Sequence, residues 1–561
     1  MIKNLPHEIS SALLDDFNLG NHEAVRDSLL KKCFCEIAPV RNFLKGDKDY
    51  LLGVKGSGKS AVFHQLLSGE IHFENQKKLK QILVPIDQDI DYLSVKSHLK
   101  NSLDTAIEED DVRARFVWEI YILYRVCVTV LNSKLDIDET TRTSIDKIVD
   151  HFSFESKTPS IIDLLTRANR TIGVKLDEAY TGNFVPNFYI KSEPKSAPAA
   201  EQRTVQSITI DLAGTQSKIN SLLRRNDAIV YVLIDNLDDF LAREAYDAQR
   251  LVIQGLLASA RNYTRHTYIR IKCFLRTEVF HKVEFEKLGG AEKVKPNAVL
   301  LEWGASDIRR FIAERFIFNM FEVFKFHQVV ISIDEENLYK RRRRRKWMPK
   351  MLWEKFAEPS RHAHDRTTND QVWREVITCF MPQRVQHFDA KGRLINGIDL
   401  FDYLDTHLCL ANSKATPRAV LIYLDKLLQR TSAYYAEMYH PNIKLNEQGE
   451  YPIFLREHLL AAYGDLQEDL VSYISSAVTH PEWKDRIASL LTNIGRRNSF
   501  SFRDLKRLID YDENDQDAKE LLAFLEHLGV LVCRSKSVHL PDRMYDIPLI
   551  LQKNWAKPMF G

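Results

Sequence analysis

The stretch Gly53-Val54-Lys55-Gly56-Ser57-Gly58-Lys59-Ser60 decides how this chain is read, because it meets the phosphate-binding pattern G-x-x-x-x-G-K-[ST] at every fixed position. Gly53, Gly56 and Gly58 permit positive φ and leave no side chain between backbone N–H groups and the oxygens of an anion. Lys59 can reach the β and γ phosphates of a nucleotide as a point charge, and the Ser60 hydroxyl can take one position on Mg2+. The flanks supply the context this chemistry needs. Asp49-Tyr50-Leu51-Leu52 reads as a short apolar strand entering the loop, and Ala61 to Leu67 as a helix whose N-terminus faces the anion. Gly53, Gly56, Ser57, Gly58, Lys59, Ser60 and Ala61 are therefore the expected nucleotide contacts.

Outward from the loop, Gln81 to Ile86 is a short apolar run ending in Asp87, and Ala228 to Ile234 is a near-continuous β-branched and aromatic run, as a strand covered on both faces requires. Tyr268 to Leu275 and Ala298 to Leu301 are further strand candidates. Strands alternating with helices after a phosphate loop predict an α/β fold, a P-loop NTPase core whose parallel sheet has helices on both faces. Residues 8 to 45 and 110 to 182 carry apolar positions at helical spacing, and 192 to 203 read as a loop. Beyond residue 305 the pattern is mainly helical. A helix from Ser306 to Phe321 is expected to be capped by Ser306, with Asp307 in its first turn.

Hydrolysis also needs a carboxylate to hold the metal, and the end of a buried strand is where such a group belongs. Asp235, directly after Ile229-Val230-Tyr231-Val232-Leu233-Ile234, fills that requirement as a Mg2+ ligand. Two readings stand for Asp238 and Asp239: orienting the attacking water, or capping a helix. A rival strand, Ser207-Ile208-Thr209-Ile210-Asp211-Leu212-Ala213-Gly214, ends in the D-x-x-G form of GTPases. The guanine-reading tetrapeptide that should follow it is missing. Ser133-Lys134-Leu135-Asp136 lies upstream and has Ser in first place, so guanine specificity is not expected.

Composition sets the outer bounds. At 561 residues the chain exceeds what one core can organise, which suggests roughly three to four domains. A net charge of +2 gives no global case for nucleic acid, so such a case has to come from local clustering. The seven cysteines include no C-x-x-C pair, which argues against structural zinc and for a reducing, cytoplasmic compartment. The N-terminus lacks the apolar core of a signal peptide. Phe116 to Leu131, interrupted by Glu119 and Arg125, reads as a buried helix rather than a membrane span.

The phosphate loop, Leu233-Ile234-Asp235-Asn236-Leu237-Asp238-Asp239, the strand end Phe274-Leu275-Arg276-Thr277-Glu278 and the later Ala415-Thr416-Pro417-Arg418 occur in the order seen in AAA+ ATPases. They resemble most the bacterial P-loop ATPases related to the STAND, KAP and origin-recognition groups. The resemblance implies ATP as ligand, Arg276 in the sensor 1 region and Arg418 as a sensor 2 arginine that reaches the γ-phosphate from a lid. A structural ion pair for Arg276 and a solvated helix start for Arg418 are the plainer alternatives. Asn236 stands where the family places a catalytic glutamate, which points to slow turnover or a nucleotide-held switch. Arg261, Arg309, Arg310 and Arg315 all stand close enough in sequence to act across a subunit boundary.

The implied organisation is an N-terminal helical segment (1–45), the ATPase core (46–305) with a large helical insertion (about 95–205), a helical lid (306–430) with a basic insertion (about 333–395), and a C-terminal helical and winged-helix-like domain (431–561). In the last of these, helices at Phe502 to Ile509 and Asp517 to His527 precede strands at Val530 to Arg534 and Met544 to Ile547. The acidic, apolar second helix suits packing better than a phosphate backbone. Arg341, Arg342, Arg343, Arg344, Arg345 and Lys346, followed by Trp347 and Trp353, suit nucleic acid or an acidic protein, or form the basic end of a solvated helix. Two functions are expected: an AAA+-like switch controlling a protein partner, in bacterial genome maintenance or anti-phage defence, for which the resemblance also implies a homo-oligomer on binding ATP, or an ATP-dependent nucleic-acid motor or loader.

Overall fold

A computed structural model of the chain describes residues 2–3, 6–74, 78–87, 110–151, 171–175, 187–191, 207–237, 246–277, 280, 294–325, 330–332, 338–339, 366–388, 394–408, 415–437, 442–444, 453–477, 485–487, 499–502, 504, 521–522, 525–526, 530–534 and 543–548. The chain divides into two compact units, Ala38–Val54 with Val62–Leu301, and Met1–Ile37 with Lys55–Ala61 and Glu302–Gly561.

The first unit is built on five parallel strands: β1 (Tyr50–Gly53), β2 (Lys80–Ile86), β3 (Ala228–Ile234), β4 (Ile269–Arg276) and β5 (Ala298–Leu300). Their order across the sheet is β5-β1-β4-β3-β2. Every residue of β3 is buried, which is why its sequence runs apolar without alternation. The period of two decides which layer each side chain joins. Val230, Val232 and Ile234 enter one core with Trp118, Ile122, Val126, Ile253 and Leu256. Tyr231 points the other way and stacks on Phe73 at 4.2 Å, while Phe274 of β4 meets Phe43 and Phe63 edge-on.

Helices cover both faces. Phe63 belongs to α1 (Lys59–Leu67), and the opposite layer holds α2 (Asp110–Asn132), α3 (Glu139–His151), α4 (Leu212–Arg225) and α5 (Tyr246–Tyr263). Gly255 lets α5 cross α2 closely, since a Cβ there would lie 2.6 Å from the Ala114 carbonyl carbon. Three charged residues of α2, Arg115, Glu119 and Arg125, find partners within the unit. Glu119 accepts from Arg115 at 2.9 Å and from Asn262, and Arg125 donates to the Pro85 carbonyl at 2.6 Å. No helix among the described residues is long and apolar enough to cross a membrane.

The insertion is not wholly helical. Thr171–Lys175, Asn187–Lys191 and Ser207–Ile210 form a separate antiparallel sheet, so the helical pattern expected through residue 182 is broken by a strand. The D-x-x-G segment also proves structural. Asp211 caps α4, accepting the Gly214 N–H at 2.7 Å.

A buried lysine ties the sheet to its entry loop. Lys272 donates to the carbonyls of Gly46 at 2.9 Å and Lys48 at 2.6 Å and to the Asp49 carboxylate at 3.0 Å. Burial pushes its pKa down, and the Asp49 carboxylate opposes that shift. Lys272→Met would leave Asp49 and two carbonyls without their donor, at an expected cost of about 3 kcal/mol, read as a lower urea midpoint.

The second unit contains α6 (Ala305–Phe318), α7 (Arg366–Thr378), α8 (Leu400–His407), α9 (Pro417–Glu437) and α10 (Arg456–Ala477). Ser306 lies inside α6 rather than capping it. Gly304 is the N-cap, and the Asp307 carboxylate takes the Gly304 N–H at 3.1 Å. Residues 8 to 45, expected to be helical, are α-helical only at Ala38–Leu44. Glu8–Ser10 is a strand paired with Asn442–Lys444, and Ser11–Leu14 is a 3-10 turn. The Asp27 carboxylate accepts the N–H groups of Asn21 and Leu29, giving the backbone an alternative to helix, and the distant, buried Arg315 pairs with it. Phe17 from this segment enters a ring cluster with Phe316, Phe324, Phe380 and Phe454. Near the C-terminus, Ser499–Ser501, Met544–Asp546 and Val532–Cys533 form a three-stranded antiparallel sheet. The strand expected at Val530 to Arg534 is shorter than its apolar run, and most of the two preceding helix candidates lie outside the described residues.

Candidate nucleotide site

β1 ends at Gly53 and α1 begins at Lys59, so the intervening residues form the turn that the motif demands. Gly56 and Gly58 adopt φ of +82° and +97°, the left-handed region that a side chain disfavours. Ser57 and Lys59 are buried, at 1% and 8% exposure. Within the second unit this loop is held by two helix starts. The Trp303 indole donates to the Ser57 carbonyl at 2.7 Å, and the Arg418 backbone N–H approaches the Gly56 carbonyl at 3.4 Å. A Cβ on Gly56 would stand 2.8 Å from the Arg418 Cβ and 3.5 Å from Thr416 Oγ1. Thr416 in turn caps α9, its hydroxyl accepting the Ala419 N–H at 3.3 Å ahead of Pro417.

The loop residues fit a phosphate group. Ser57 Oγ is buried with no hydrogen-bond partner among the described residues, the positive-φ glycines open the backbone, and a nine-residue helix begins at Lys59. The chain has an α/β P-loop core.

In the first unit, the carboxyl edge of the sheet gathers the other candidates. Gly53 is in register with Arg276, because β4 lies directly between β1 and β3. Asp235 follows the last residue of β3, is 3% exposed, and donates its N–H to the Ile86 carbonyl at 3.0 Å. The chain then turns sharply at Asn236, whose φ of +57° is unusual for a residue with a side chain. Arg276 is 8% exposed, and the neighbouring Thr277 Oγ1 is buried without a hydrogen-bond partner among the described residues.

Asp238, Asp239 and Glu278 lie outside the described residues, as does the run Arg341 to Lys346. Among the arginines near enough in sequence to act in trans, Arg309 bridges Asp370 and Asp405, each at 2.7 Å, Arg310 pairs with Glu314 at 3.6 Å, and Arg315 pairs with Asp27 at 2.9 Å while covering the Phe311 ring. Trp303 and Thr416 went unassigned by sequence reasoning. A threonine directly before a proline, as at Thr416-Pro417, is a helix-start signal that could have found Thr416, whereas nothing in the sequence around Trp303 points to Ser57.

No family model matches the chain. A curated protein of Escherichia coli (strain K12), named "Putative transposon gamma-delta 80.3 kDa protein", is 24% identical over 308 residues. That match spans 53% of this chain and 39% of the relative. Among solved structures, the Aeropyrum pernix ORC1 protein in complex with DNA aligns at a TM-score of 0.32 and 11% identity over 94% of this chain and 93% of that one. The Aeropyrum pernix ORC2 protein in ADPNP and ADP complexes aligns at 0.33 and 9% over 97% and 94%. TM-scores of that size transfer neither fold nor function to this chain.

Proposed function

We propose that the chain is an ATP-binding and ATP-hydrolysing switch of AAA+ type, in which the helices beginning after Trp303 and Thr416 respond to nucleotide state and so control a protein partner. The observation that carries this reading is the packing of Thr416-Pro417-Arg418 directly on Gly56 of the phosphate loop. A helix start seated on the loop backbone has to move if a bound phosphate changes that backbone. ATP with Mg2+, when bound, supplies the γ-phosphoryl group that passes to water. By motif, Lys59 neutralises the β and γ phosphates, and Ser60 and Asp235 are the metal's ligands. The AAA+ resemblance assigns Arg276 to sensing the γ-phosphate, and its place on the strand between the loop strand and the Asp235 strand agrees with that role. Arg418 is the lid arginine by the same resemblance, and its helix start lies on the loop. Asn236, in place of a glutamate, supports slow turnover.

The setting is proposed to be bacterial genome maintenance or defence, cytoplasmic, and the transposon in the name of the curated relative agrees with the first. A second reading, an ATP-dependent nucleic-acid motor or loader, draws on the run Arg341 to Lys346. ATP turnover by the full chain, with and without single- and double-stranded DNA and RNA at two salt concentrations, separates the two. The switch predicts slow turnover indifferent to nucleic acid. Turnover that rises with nucleic acid and falls off with salt replaces the switch by the motor.

A further inference from the structure

The phosphate loop is held by its carbonyl oxygens, and this determines where its N–H groups point. A trans peptide is planar, with its C=O and the following N–H on opposite sides, and no cis bond occurs among the described residues. The Trp303 indole holds the Ser57 carbonyl at 2.7 Å, so the Gly58 N–H on the same peptide plane faces the other way. The Arg418 N–H acts similarly on the Gly56–Ser57 peptide, at the longer and weaker distance of 3.4 Å.

We propose that Trp303 is the positioning residue of the phosphate loop: its indole N–H, by fixing the Ser57 carbonyl, aims the Gly58 N–H at a phosphate of the bound nucleotide. The inference rests on reading the loop as a nucleotide site, and it adds a residue outside the motif. Indole is a donor only, so Trp303 cannot compete with the phosphate for the loop's N–H groups. The ring is itself fixed. It is 8% exposed, sits edge-on to Phe311 with centroids 5.5 Å apart, and lies 3.9 Å from where a Gly58 Cβ would stand. Its neighbour Gly304 is locked by the Asp307 carboxylate into the first turn of α6. The donor therefore reaches the loop from a packed, capped helix start, which keeps the peptide oriented before a ligand arrives.

Trp303→Phe keeps an aromatic ring against Phe311 and removes the donor. In the full chain, the dissociation constants of ATP and ADP are expected to rise together by about five-fold, the loss of one neutral hydrogen bond. KM for ATP rises with them while kcat is retained, because the interaction serves ground state and transition state alike. A loss of folded protein would instead lower kcat at unchanged KM. Binding of ADP with Mg2+ is expected to change the tryptophan emission of the wild type, and that change should vanish in Trp303→Phe. Should the Phe variant not fold, the sulfur isostere of tryptophan placed at 303, which keeps the ring shape and lacks the N–H, is measured the same way. Wild-type affinities and KM in a folded protein lacking the donor overturn the role of Trp303. A wild type that binds no nucleotide overturns the site itself.

Discussion

Replacing Lys59 by alanine is expected to weaken ATP binding by about a hundred-fold or more, the scale of a charge-assisted contact to phosphate lost from a buried position. Lys59 is 8% exposed and opens α1, where alanine is a good helix former, so the fold is expected to survive. Binding by isothermal titration and stability by thermal unfolding check the two halves separately. A Lys59→Ala protein that melts like the wild type and binds ATP equally well contradicts the assignment of the loop.

Asp235→Asn tests the other half of the chemistry and should have a different signature. The amide keeps the size of the side chain and the backbone bond from the Asp235 N–H to the Ile86 carbonyl, but it removes the charge that a divalent cation needs. Turnover is expected to fall about a hundred-fold or more, since the metal neutralises charge developing on the transferred phosphoryl group. Nucleotide affinity measured without Mg2+ should stay near that of the wild type. Equal turnover in the two proteins would move the metal to another carboxylate, and equal losses of binding with and without Mg2+ would make Asp235 structural. Lys59→Ala thus fails at binding and Asp235→Asn at turnover.

How much of this was legible in the sequence depended on where the constraint lies. β3 was readable to the residue, because a strand covered on both faces has no polar position to blur its ends, and Ala228–Ile234 is buried throughout. The loop was readable because positive φ at Gly56 and Gly58 leaves few residue choices. The segment before Ala38 was misread because its apolar residues do recur at helical spacing, yet the backbone follows Asp27 instead. That outcome depends on Arg315, far along the chain, whose buried guanidinium pairs with the Asp27 carboxylate. Ser306 was misread as a cap for a smaller reason, since Asp307 serves the Gly304 N–H and places the cap two residues earlier. Trp303 was invisible for the same kind of reason as Asp27. Its partner is a backbone carbonyl, which every residue carries, so no pattern of side chains announces the contact. Arg276 was quoted for its place in a motif order, but only the sheet order, with β4 between β1 and β3, shows that it stands in register with Gly53.

Nucleotide binding at the phosphate loop underlies every role assigned above, and equilibrium titration of the 561-residue wild-type chain with ATP and Mg2+ tests it most directly. The prediction is saturable binding of one ATP per chain, displaced by ADP and lost in Lys59→Ala. Folded wild-type protein that takes up no ATP, or that binds it undiminished after Lys59→Ala, contradicts it.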